Sequence, residues 1–131
     1  MEVSLKITGI LLILLALIHI VFPSYFNWKH ELSSLSLLNR QIMLVHTFFI
    51  ALIVLLMGIL CVVASRDLIE TSLGKKVVLG LAVFWICRFF IQFFGYSSKL
   101  WRGKNFETTV HVIFSILWTY VSAVFILAYL A

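Results

Sequence analysis

The sequence predicts an all-α integral membrane protein: a four-helix up-down-up-down bundle with a short interfacial helix between the first two spans. Composition, the length of the apolar stretches and the shortness of their connections each lead there. The 131 residues are 63% hydrophobic and 11% charged, with a mean hydropathy of +1.16. A soluble domain is roughly half apolar and a quarter charged, so water is a poor main solvent for this chain. With one proline and six glycines there is no linker-like or low-complexity stretch, and no internal repeat is present. A single domain over residues 1–131 is expected.

Four apolar stretches, at about residues 4–22, 40–64, 75–95 and 106–130, approach the roughly 20 residues that cross a hydrocarbon core about 30 Å thick at 1.5 Å per residue. Within the first, Lys6 precedes an apolar run from Ile7 to Phe22, and Pro23 is expected to stop the helix. No small-x-small cleavage pattern follows, so it reads as an uncleaved span and not as a signal peptide. Residues 28–40 carry Leu32, Leu35 and Leu38 at helical spacing among serines and charges, the pattern of a short amphipathic helix lying in the interface.

The second stretch opens on Asn39, Arg40 and Gln41, where Asn39 suits a helix cap. Residues 65–74 form a short polar connection with Arg66, Asp67 and Glu70, so the second and third stretches should be antiparallel neighbours. Gly95 suits the C-cap of the third, and Asn105 with Glu107 suits the start of the fourth.

Helices that satisfy their own backbone hydrogen bonds and are joined by short connections alternate in direction, which puts both termini on one side of the bilayer. That side carries Lys6, Arg66, Lys75 and Lys76; the other carries Lys29, Arg40, Lys99, Arg102 and Lys104. The two tallies are too even to orient the protein by its basic residues. The net charge of +5 is spread in ones and twos at the ends of apolar runs, as headgroup anchors are, and gives no nucleic-acid patch. Cys61 and Cys87 fall at different depths and are not expected to form a disulfide.

An ionisable side chain within a span is costly, so its presence points to function. Alternating chain direction brings His19, His46, Arg88 and His111, one per span, to roughly 5–9 Å below the same surface. Gln92 lies one turn from Arg88 on its face, and Glu107 one turn from His111. Thr8, Thr119 and Ser122, in the opposite half, are expected to be satisfied by their own helix backbones. His30, in the first connection, reads as a surface residue.

These residues support four chemistries. In the first, His46 and His111 clamp haem b between the diagonal second and fourth helices, with Arg88 pairing a propionate and His19 nearby. That pairing resembles membrane b-type cytochromes, in two residues only. In the second, the imidazoles of His19, His46 and His111 hold a metal for a membrane enzyme, although no paired ligands at helical spacing pre-arrange such a site. In the third, Arg88, Gln92 and the histidines take the headgroup of an anionic lipid, fatty acid or quinone. In the fourth, the polar layer only stitches helices together in a scaffold or accessory subunit of a membrane complex, or in a homo-oligomer. No nucleophile or oriented acid–base pair is evident, so the sequence names no reaction.

Overall fold

A computed structural model describes residues 1–95 and 103–131. Among the described residues the chain is almost entirely helical and has no strand. Four helical stretches, Glu2–Tyr25, Leu37–Val63, Ser72–Phe94 and Asn105–Leu130, are long and apolar enough to cross a membrane. The contacts divide the chain into two compact units, Lys6–Ala64 and Met1–Leu5 with Ser65–Ala131. The expected connection at 96–105, with Lys99 and Arg102, lies largely outside the described residues.

In the first unit, α1 (Glu2–Ile18) continues through a 3-10 turn (His19–Val21) into α2 (Phe22–Tyr25). Pro23 was expected to end the helix, yet helical structure runs two residues past it. The 3-10 turn explains this: Pro23 falls in the first turn of α2, where a missing N–H leaves no hydrogen bond unmade. Asn27 then turns the chain in the left-handed region (φ 52°), which asparagine tolerates better than most residues.

The expected interfacial helix is only one turn, α3 (Trp28–Glu31). Serines cut it short. The Ser33 hydroxyl donates to the His30 carbonyl at 2.6 Å, closing that turn, and Ser36 accepts from the Asn39 N–H at 3.2 Å, so Ser36 and not Asn39 caps the next helix. Leu38 therefore belongs to α4 (Leu37–Val63).

α1 and α4 run antiparallel and meet at two glycines. A β-carbon on Gly9 would lie 2.6 Å from the Gly58 carbonyl oxygen, and one on Gly58 would lie 2.7 Å from that of Gly9. Small residues at such a contact let the two backbones touch, and the close approach adds dispersion energy.

The second unit is built on α5 (Ser65–Glu70), α6 (Ser72–Phe94) and α7 (Asn105–Leu130). The connection expected at 65–74 is itself largely helical. Thr71 organises the turn between α5 and α6: its hydroxyl donates to Asp67 O at 2.7 Å and accepts from Gly74 N at 2.9 Å, capping α6. Gly74 is required there because a β-carbon would overlap the Asp67 carbonyl oxygen.

At the same end of α6, the Lys75 ammonium donates to the backbone oxygens of Ala128, Tyr129 and Ala131 at the C-terminal end of α7. It thereby covers carbonyls that the last turn of α7 cannot satisfy and places a positive charge at the negative end of the helix dipole. Gly95 ends α6 as expected, its N–H bonded to Ile91 O, and α7 begins at Asn105.

Candidate functional site

The contacts of α6 with α7 place Arg88, Gln92, His111 and Trp118 in one cluster. Lys75 lies by Ala128, Trp85 by Trp118, and Gln92 by His111, so the two helices run antiparallel and Gln92 comes opposite the first turns of α7. Gln92 is the hub, at 6% exposure.

Its Oε1 accepts from Trp118 Nε1 at 3.1 Å and from Arg88 Nη1 at 3.4 Å. Both partners are donors only, which fixes the orientation of the amide. Its Nε2 therefore donates to His111 Nδ1 at 2.8 Å, and the neutral imidazole carries its proton on Nε2.

Aromatic rings seal this cluster. The Arg88 guanidinium lies 4.8 Å from the centroid of the Trp118 ring, close enough for a cation–π attraction of about 1–2 kcal/mol when water is scarce. Trp118, 3% exposed, also stacks on Trp85 at 5.3 Å and Phe114 at 5.6 Å. Phe93 meets His111 edge-on at 5.9 Å. A fixed positive charge is thus held among rings and amides, and the aromatic faces supply the negative potential that partly offsets its desolvation.

His111 also borders a groove of about 460 Å³ along α7, whose walls include Phe93, Val112, Ser115, Ile116 and Thr119. Ser115 and Thr119 donate their hydroxyls back to the carbonyls one turn before them, at 2.7 and 2.8 Å. Spent in this way, those hydroxyls leave the groove largely apolar below the imidazole.

Of the five residues expected to form the site, the structure thus joins Arg88, Gln92 and His111. His19 and His46 lie in the Lys6–Ala64 unit. His19 is half-buried, and its Nδ1 donates to Leu15 O within its own helix at 2.8 Å. His46 is exposed on α4. Among the described residues no three His, Cys, Asp or Glu side chains converge as metal ligands. Cys61 and Cys87 are both free thiols.

One further expectation holds only in part. Thr119 is bonded to its own helix, but the Thr8 and Ser122 hydroxyls are buried without a partner, as is Trp85 Nε1. The roles of Thr71 and Lys75 were not foreseen. A threonine three residues before a glycine, and a lysine at the start of a helix facing the end of another, were the available signals, but both need the tertiary pairing to be read. No known protein family, curated protein or solved structure matches the chain.

Proposed function

We propose that the protein is a multi-pass integral membrane protein, its four long helices threaded up-down-up-down, and that the α6–α7 cluster binds the headgroup of an anionic amphiphile of the fatty-acid or acidic-lipid class. Membrane insertion is supported by the four span-length helices and by the large apolar side chains that face outward along them. Phe48, Phe49, Ile53 and Leu56 on α4, and Ile113 and Ile116 on α7, are all exposed. A water-soluble protein does not leave so much contiguous hydrocarbon uncovered.

The observation that carries the ligand reading is the coupling, through Gln92, of a fixed guanidinium to an imidazole that opens onto an apolar groove. A positive potential at the head of a hydrophobic trough suits a molecule with an anionic head and a hydrocarbon tail. The tail would follow Val112 and Ile116, and the head would lie against His111. Haem b and a three-histidine metal site gain no support from these contacts, since both draw on His46 or His19.

One observation favours a second reading, that of a cofactor-free scaffold. The Gln92 amide already has three partners within the protein, as a purely structural stitch between helices would.

Purification in a mild detergent, followed by organic extraction and mass spectrometry, separates the readings. Ligand binding predicts an anionic amphiphile near one per protein that is depleted in Arg88→Gln. A folded wild type that yields no amphiphile supports the scaffold, and a Soret band in the visible spectrum would replace both with haem.

A further inference from the structure

A second groove lies in the Lys6–Ala64 unit, between the segment after the first long helix and the opening turns of α4. It has a volume of about 470 Å³, and its walls include Pro23, Trp28, Lys29, Leu32, Arg40 and Leu44. Residues 6–64 contain three Lys or Arg side chains, Lys6, Lys29 and Arg40, and two of them line this groove. The same stretch has a single carboxylate, Glu31, which is exposed and does not line it.

Arg40 is half-buried, and its Nε is shut off from solvent without a hydrogen-bond partner. A guanidinium N–H left unmade is costly, and Arg40 lines the groove, so an anionic acceptor there would give its guanidinium the charged partner it lacks.

We propose that this groove binds the phosphate of an anionic phospholipid headgroup, with Arg40 and Lys29 as its cationic ligands. The guanidinium fork presents paired donors that match two phosphate oxygens, and the lysine adds a mobile point charge beside it. The exposed Ser24 hydroxyl, also on the groove wall, is a further donor. Trp28, Pro23 and Leu44 offer the apolar body and amphipathic ring that meet glycerol and the first methylenes of an acyl chain.

Position selects lipid as the source of the phosphate, an argument that rests on the membrane-spanning reading above. The groove lies between the end of one span-length helix at Tyr25 and the start of the next at Leu37, where the phosphates of a bilayer leaflet would sit. The site is distinct from the α6–α7 cluster and shares no residue with it.

Native mass spectrometry of the full chain in a neutral detergent tests the proposal, with phosphatidic acid, phosphatidylcholine and inorganic phosphate titrated separately. Phosphatidic acid is expected to bind at least about fivefold more tightly than phosphatidylcholine, since each interfacial cation favours anionic lipid by about that factor. Arg40→Gln should weaken phosphatidic acid about tenfold, as loss of a charged hydrogen bond does, and Lys29→Gln about fivefold.

Lys29 is exposed, so its variant tests the site even should Arg40→Gln fail to fold. Unchanged affinity in folded Lys29→Gln, or equal binding of the two lipids, overturns the proposal. Inorganic phosphate that binds as tightly as phosphatidic acid keeps the phosphate chemistry and overturns the lipid source. Failure of the membrane reading has a separate signature, release of the protein from cell membranes by alkaline carbonate.

Discussion

Gln92 bears on the stability of the α6–α7 pair out of proportion to its size, because three side chains depend on its amide. Replacing it with leucine removes the Gln92 hydrogen bonds to Trp118 Nε1, which is buried, and to His111 Nδ1. Interhelical hydrogen bonds in membrane proteins contribute about 0.6–2 kcal/mol each, and an unmet buried group costs about 1–3 kcal/mol. Gln92→Leu should therefore destabilise the protein by ~2–3 kcal/mol, read as an earlier unfolding midpoint in a detergent titration followed by circular dichroism. Trp118→Phe loses one hydrogen bond while keeping an aromatic face for Arg88, and should cost less, ~1 kcal/mol. Equal midpoints for Gln92→Leu and wild type would show that the amide holds nothing together.

At the scale of the element, the two helix pairs are held by different means. The α1–α4 contact depends on absent side chains: a β-carbon on Gly9 would lie 2.6 Å from the Gly58 oxygen, whereas one on Gly80 in α6 would meet nothing within 4 Å. Gly9→Leu should force the helices apart and cost ~1–3 kcal/mol or more, as overpacking does. Gly80→Ala should be neutral or stabilise by ~0.5–1 kcal/mol, because glycine is the poorer helix former. Thermal unfolding of the two variants side by side checks the contrast.

The α6–α7 pair is fastened at its far end by Lys75. Lys75→Met should speed amide exchange over the last turn of α7 while leaving Gln92 and His111 protected, at a cost of ~0.3–1 kcal/mol. Exchange that is unchanged near Ala128 would remove Lys75 from that role.

These elements also show what a sequence can and cannot reveal. The four long helices were legible because a span of about 20 apolar residues is a local property of the chain. The neighbouring positions of Arg88, Gln92 and His111 were legible because antiparallel threading of two adjacent helices follows from a short connection. Pro23 does not end the helical path as the sequence predicts, because a proline does so only where its N–H would be used, and the preceding 3-10 turn places it in a first turn. The interfacial helix is shorter than the leucine spacing predicts because Ser33 and Ser36 close and cap turns within that stretch. Gly9 and Gly58 could not be paired, because close approach depends on which faces meet.

For the whole molecule, four long helices carry large exposed apolar side chains, and two candidate sites among the described residues carry cationic side chains. Arg88, Gln92 and His111 form one, and Lys29 with Arg40 forms the other. Up-down threading predicts that both termini lie on the same side of the bilayer. Tags at the two ends should be cleaved together by protease added to sealed vesicles, or protected together; cleavage of one alone would contradict the threading.

The central claim is that the trough below His111 holds the tail of an anionic amphiphile, and photo-crosslinking locates such a molecule directly. A diazirine-bearing fatty acid, illuminated with the purified protein and mapped by peptide mass spectrometry, should label the α7 face around Val112 and Ile116. That labelling should be lost in Arg88→Gln and be competed by unmodified fatty acid. Label spread evenly over the exposed apolar faces of α4 and α7, and unchanged by the substitution, would contradict the claim.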